Sequence, residues 1–167
     1  AGSSEATIAD KWIYLERMAH QLRMPLLRLV DSAGGSVKLL MQIGGTKIPE
    51  YPSWPSQDLL RTVPVVGIAL GACAGQGAVK VLASHFSVMV RDQAQVMAAG
   101  PHVVRQAYGQ EIDKNDLGGW PVHRRSALVH NEADDERDAF AQARRFLSYL
   151  PRSVYELAPV TAPDDDP

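Results

Sequence analysis

The sequence predicts an α/β domain in which helices cross between strands. Three observations carry that prediction. The segments read helix, strand, helix, strand, strand, helix; two of the strands run into glycine turns; and the last helix has a well-marked apolar face. Open α/β folds place ligands at the ends of such strands, so the two turns are the first place to look for a site.

In chain order, Ile8, Trp12, Leu15, Met18 and Leu22 recur at helical steps and predict the buried face of a first helix, with Asp10, Lys11, Glu16 and Arg17 elsewhere. Pro25 ends it, and Leu26 to Val30 read as a strand. The strand stops at Asp31-Ser32-Ala33-Gly34-Gly35-Ser36-Val37, with apolar residues resuming at Val37, Leu39, Leu40 and Met41. Ser32 beside Asp31 offers a nucleophile pair. No GxSxG pattern surrounds it and no histidine is placed near it by sequence, which argues against a serine hydrolase. Residues 44–56 hold Gly44, Gly45, Pro49, Pro52 and Pro55 with Tyr51 and Trp54. They read as a loop between the two turns, a lid or a packed surface loop, the latter being the better reading.

A short helix near Gln57 to Arg61 leads to the central stretch, Val65-Val66-Gly67-Ile68-Ala69-Leu70-Gly71-Ala72-Cys73-Ala74-Gly75-Gln76-Gly77-Ala78-Val79-Lys80. Its apolar opening suits a buried strand, and Ala78, Val79, Val81, Leu82 and Ala83 suit a buried helix. A strand that turns through glycines into a helix aims backbone N–H groups at one point, with the positive end of the helix dipole behind them. Such a turn can hold a phosphate or a developing oxyanion. Equally, its small residues can simply let a helix pack closely on a sheet.

Beyond it, Phe86 to Val90 and Ala94 to Ala99 read as strands, and Val103 and Val104 as a short helix or turn. Asp116-Leu117-Gly118-Gly119-Trp120-Pro121-Val122-His123 reads as a turn, and Ala127-Leu128-Val129 as a brief strand. Ala139, Phe140, Ala143, Phe146, Leu147 and Leu150 form the face of the last helix. Asp134, Asp135 and Glu136 sit at its start and Arg144 and Arg145 near its end, as the helix dipole favours.

The 167 residues are enough for one domain with a sizeable core, and 46% hydrophobic with 22% charged residues is ordinary for a globular protein. A formal net charge of −2 gives no basis for a nucleic acid or an anionic membrane as partner. Cys73 is the single cysteine, so there is no disulfide framework, and a reducing, cytoplasmic setting is expected. With one cysteine and no HExxH pair, a metal site is not expected. No stretch is apolar enough to span a bilayer, and the opening residues do not read as a signal peptide. The chain starts at Ala1-Gly2-Ser3-Ser4 and ends in a proline- and acid-rich run from Ala158 to Pro167, which reads as a piece of a longer protein.

Four motifs in series carry a resemblance: Leu29-Val30-Asp31-Ser32-Ala33-Gly34-Gly35; Gly71-Ala72-Cys73-Ala74-Gly75-Gln76-Gly77-Ala78; Ala99-Gly100-Pro101-His102-Val103-Val104 with Gly109-Gln110-Glu111; and Asp116-Leu117-Gly118-Gly119 with His123. Together with the ending Phe146-Leu147-Ser148-Tyr149-Leu150-Pro151, the series resembles the carboxyltransferase β subunits of biotin-dependent acyl-CoA carboxylases. Propionyl-, acetyl- and methylcrotonyl-CoA carboxylases are of that family, as are related decarboxylase subunits. The resemblance implies a crotonase-like spiral of ββα units, with residues 1–157 as the N-terminal, acyl-CoA-binding half, truncated at its own N-terminus. Residues 158–167 would be a linker towards a C-terminal carboxyltransferase domain.

It also implies the chemistry: CO2 passes from carboxybiotin, held on a carrier domain, to the α-carbon of an acyl-CoA. Expected partners are the acyl-CoA, a biotin carboxyl carrier or biotin carboxylase subunit, and further copies of the chain. The isolated piece is expected to be inactive or nearly so. By this resemblance the oxyanion N–H donors are Gly75, Gln76 and Gly77, while Ser32, Gly34, Gly35 and Ala74 line the acyl-CoA pocket. Lys38, Lys47 and Lys80 are candidates for CoA phosphates. The family usually reads SGGA where this chain has Ser32-Ala33-Gly34-Gly35, and glycine where Gln76 stands; a backbone N–H survives either change. His123 is read as making a structural hydrogen bond rather than a catalytic contact, and Cys73 as buried packing rather than a nucleophile. The alternatives are a biotin-independent decarboxylase, a crotonase-type hydratase, a nucleotide-binding module or a structural domain. The nucleotide reading lacks both GxGxxG and a P-loop ending.

Overall fold

The computed structural model of the protein describes residues 3–4, 9–35, 41–42, 44 and 56–160. Its strands and helices are β1 (Ser3–Ser4), α1 (Ala9–Leu22), β2 (Leu26–Ser32), β3 (Gly34–Gly35), β4 (Val65–Ala74), α2 (Gln76–Leu82), β5 (Phe86–Val90), β6 (Gln95–Met97), α3 (Pro101–Tyr108), α4 (Lys114–Gly118), α5 (Trp120–Ser126), β7 (Asn131–Ala133) and α6 (Glu136–Ser148). A 3₁₀ helix, Ser56–Arg61, stands where a short helix was expected. Most of the loop at 44–56, the apolar residues at 37, 39 and 40, Lys38, Lys47 and the tail 161–167 lie outside the described residues.

The main sheet is parallel, in the order β2-β4-β5-β7, with β6 also paired to β4. Strand β4 lies in the middle and is covered on both faces, which is why it reads as an almost unbroken apolar run. Its first half pairs with β5 and its second half with β6, so the chain steps sideways between Val90 and Gln95 without leaving β4. Between β2 and β4 the register shifts: Leu70, Gly71 and Ala72 stand opposite Asp31 alone. A β-carbon at Gly71 would lie 2.5 Å from the Asp31 carboxylate, so a larger residue in the bulge would have to displace that exposed side chain. Gly34 and Gly35, just past β2, pair with Ser3 and Ser4.

Helix α2 packs on one face of the sheet, close enough that a β-carbon at Gly67 would meet the Val81 carbonyl oxygen at 2.5 Å. Helix α6 packs on β5, β7 and β4, with Phe146 stacked on Phe86 at 4.9 Å between ring centres. Asp135 caps α6 by accepting from the Asp138 N–H. Among the described residues, no helix is long and apolar enough to cross a membrane.

Three local expectations are corrected. Leu15, Met18 and Leu22 are exposed, and α1 instead turns Ile13, Glu16 and Ala19 inward. A buried carboxylate outranks the apolar stripe here because two cations wait beneath it, as set out below. Residues 116–123 are largely helical, not a turn: Asp113 caps α4 by accepting from the Asn115 N–H, and Pro121 occupies the first turn of α5. Finally, Ala127 to Val129 do not form a strand. Ala127 ends α5 with φ of +54°, and the edge strand is Asn131–Ala133.

Candidate active site

The two glycine turns meet. Ser32 pairs in register with Cys73, and Gly34 lies over Ala74, where a β-carbon would stand 3.6 Å from the Ala74 carbonyl oxygen. Gly77 is buried directly against Ser32: a β-carbon on it would lie 2.7 Å from the serine carbonyl oxygen. The structure thus brings together Ser32, Gly34, Ala74 and Gly77, with Gly75 and Gln76 completing the turn. Gly35 is exposed.

Helix α2 starts without a cap. Gly75 occupies the cap position with φ 56° and ψ −116°, offers no side chain, and no acidic residue stands in the first turn. The first N–H groups of a helix have no intrahelical acceptor. Among the described residues, none accepts from the N–H of Gln76, Gly77 or Ala78. Open donors at the positive end of a helix stabilise negative charge developing on an oxygen placed before them.

Gly75 itself is corrected as a donor. Its N–H is given to the Met97 carbonyl at 3.0 Å, extending the β4–β6 ladder, so its part is to turn the chain. The open N–H groups at the start of the helix are those of Gln76, Gly77 and Ala78. The sequence pattern starts the helix at Ala78, whereas it begins at Gln76, and that start leaves the N–H of Ala78 open as well.

Lys80 is likewise not free to meet a phosphate. Its ammonium lies 2.8 Å from Glu16 Oε1 and 3.0 Å from Ser56 Oγ, and 3.4 Å from the centre of the Trp12 ring. Burial lowers its pKa, and Glu16 works against that fall. Arg28 reaches the same Glu16 oxygen at 2.9 Å, and Ser56 donates to the other one. Gln76 and Lys80, with Trp12, Arg28 and Ser56, line a cavity of about 220 Å³. A wider concavity of about 870 Å³ between Phe86, Trp120, Arg124, His130 and Arg145 includes none of the turn residues.

Cys73 is fully buried, its sulfur 3.3 Å from the Val30 carbonyl oxygen and 3.4 Å from that of Gly71. Burial pushes its thiol up to about 11, the nearby Asp31 charge adding to the effect while backbone hydrogen bonds oppose it. His123 is buried and its Nε2 donates to the Val96 carbonyl at 2.7 Å, a hydrogen bond that ties α5 to β6.

The chain matches the family described as the carboxyl transferase domain over residues 1–167. It is 29% identical to the methylmalonyl-CoA decarboxylase subunit alpha of Veillonella parvula and 30% identical to the propionyl-CoA carboxylase carboxyltransferase subunit of Haloferax mediterranei. Each match covers 99% of this chain and 32% of the relative. In structure it is similar to transcarboxylase 12S, solved with methylmalonyl-coenzyme A and methylmalonic acid bound, with a TM-score of 0.79 at 25% identity over 98% of this chain and 32% of that one. The chain therefore spans about a third of the length of the relatives it matches. The family match runs from the first residue to the last, and the fold agrees with it: this chain belongs to the carboxyl transferase domain family and has its crotonase-like α/β fold.

Proposed function

We propose that this chain is the acyl-CoA-binding half of a carboxyltransferase that moves CO2 from carboxybiotin to the α-carbon of an acyl-CoA. The observation that carries the reading is the uncapped start of α2, whose open N–H groups are seated against the Ser32 turn. When the α-carbon of a thioester gives up its proton, the C–H electron pair moves into an enolate and charge collects on the carbonyl oxygen. Donors fixed beforehand at that oxygen lower the barrier, because they strengthen as charge develops and need no reorganisation. Gln76, Gly77 and Ala78 are those donors, and Ser32, Gly34 and Ala74 form the opposing wall. Carboxybiotin, brought by a carrier domain, supplies the CO2 and a ureido nitrogen able to take up the proton.

Residues 1–157 form this half and 158–167 lead on to a C-terminal carboxyltransferase domain. The partners are a biotin carboxyl carrier or carboxylase subunit and other copies of the chain, in the cytoplasm. A second reading, loss of CO2 from a carboxylated acyl-CoA, uses the same enolate site and is supported by the Veillonella parvula relative.

The test is calorimetric titration with a short acyl-CoA, with ATP and NADH as controls. Saturable binding of the acyl-CoA alone is expected. Gln76→Pro removes one donor at a helix position that accepts proline, and should weaken that binding roughly two- to ten-fold, the worth of one neutral hydrogen bond. Selective binding of ATP or NADH would overturn the reading.

A further inference from the structure

We propose that Arg28 is a positioning residue that holds helix α2, and so its open N–H groups, at a fixed place against the Ser32 turn. The inference rests on the thioester reading above and extends it to a residue outside the turns.

Helix α2 is gripped twice by the same strand. At its start, Gly77 lies on Ser32 at the end of β2. At its far end, Arg28, four residues earlier on β2, donates from Nη1 to the Ala83 carbonyl at 2.7 Å and reaches the Lys80 carbonyl at 3.5 Å. The last carbonyls of a helix have no intrahelical acceptor role to fill, and a guanidinium there both satisfies them and suits the negative end of the dipole. A helix held at one end only can pivot about that contact. Held at both ends by a single strand of a parallel sheet, it cannot, and the position of its first N–H groups is set by the strand that carries the opposing turn.

The second arm of the fork explains why the grip is firm. Arg28 Nη2 pairs with Glu16 Oε1, which also takes the Lys80 ammonium, and Ser56 donates to the other carboxylate oxygen. One buried carboxylate thus joins α1, β2, α2 and the 3₁₀ helix. The Arg28 side chain is 8% exposed and that of Glu16 4%, so water does little to loosen the pair. Lysine in place of Arg28 offers one ammonium instead of a planar fork, and can serve the carboxylate or the helix carbonyl but not both.

The experiment compares the parent chain with Arg28→Lys, Arg28→Met and Leu59→Ala. Leu59 is fully buried in a small cluster with Val63 and Val65, so its truncation reports what lost stability alone does. Two readouts are taken: the infrared band of an acyl-CoA labelled with ¹³C at the thioester carbonyl, and amide hydrogen exchange at Val79, whose N–H makes the first hydrogen bond of the helix, to the Gly75 carbonyl at 3.1 Å. In the parent the bound carbonyl band should shift to lower wavenumber. Arg28→Lys should remove about half of that shift and speed exchange at Val79 by roughly ten-fold, as expected for loss of one charged hydrogen bond. Leu59→Ala should do neither. An unchanged band and unchanged exchange in Arg28→Lys overturn the proposal, as does an equal effect from Leu59→Ala. If Arg28→Met does not fold, Arg28→Lys, which keeps the charge, decides alone. If the parent shows no carbonyl shift at all, the thioester reading fails and the catalytic part of this inference fails with it; faster exchange in Arg28→Lys would then still establish the grip on the helix.

Discussion

Gly77 and Ser32 touch so closely that a β-carbon on the glycine would lie 2.7 Å from the serine carbonyl oxygen and 2.9 Å from its β-carbon. The first contact is with backbone, which cannot swing aside. Gly77→Ala must therefore push the helix start away from β2, at a cost of about 1–3 kcal/mol typical of overpacking. A lower Tm with weakened acyl-CoA binding is the expected result. An alanine variant that melts and binds like the parent would show that the two turns do not set each other's position.

Gly75 tests backbone conformation without crowding. Its φ of 56° with ψ of −116° is a region that side chains avoid, yet among the described residues only the Ala98 carbonyl oxygen, at 3.7 Å, lies near a β-carbon there. Gly75→Ala should cost about 1–3 kcal/mol from strain alone. Gly100, with φ −75° and, among the described residues, nothing within 4 Å of a β-carbon, is its control. Gly100→Ala should fall within about 0.5 kcal/mol of the parent in urea unfolding.

Much of this was legible in the residues. The apolar run of β4 and the charge-ordered α6 read correctly because burial on both faces, and the helix dipole, write themselves into local sequence. The face of α1 did not. Leu15, Met18 and Leu22 mark a stripe by periodicity, but the inward face is chosen by Glu16, and nothing near residue 16 announces Arg28 or Lys80 as its partners. Lys80 was misread for the same reason: a lysine beside a glycine turn looks free until the helix four elements earlier supplies its carboxylate. The donor status of Gly75 depended on Met97, a residue more than twenty positions away whose pairing follows from the sideways step between β5 and β6.

Glu16→Gln should be among the most damaging single changes in the chain. It leaves Arg28 and Lys80 sharing a largely buried space without a counter-charge, and removing one partner from a buried ionic group costs about 3–5 kcal/mol. Thermal or urea unfolding measures it. Adding Lys80→Met to Glu16→Gln takes away one stranded cation and should return part of the loss. If the double variant is as unstable as the sum of the two single ones, Glu16 and Lys80 do not act as a pair.

Cys73 gives a pH-dependent prediction with a definite sign. The native thiol keeps its proton up to about 11, whereas its ordinary value is 9.0. Below pH 9 both folded and unfolded chains hold the proton, so the group leaves stability unchanged. Between about 9 and 11 the unfolded chain ionises first, and stability falls as pH rises, by at most about 2–3 kcal/mol. Lysines and tyrosines titrate in the same interval, so the quantity to measure is the difference between the parent and Cys73→Ala across that range, which should narrow as the parent loses ground. Alkylation adds an independent check: a fully buried, protonated thiol should react with iodoacetamide at pH 8 only through unfolding, and the rate should rise with urea. Rapid labelling of the folded chain at that pH would mean that the sulfur is reachable and ionised, and would restore it as a candidate nucleophile.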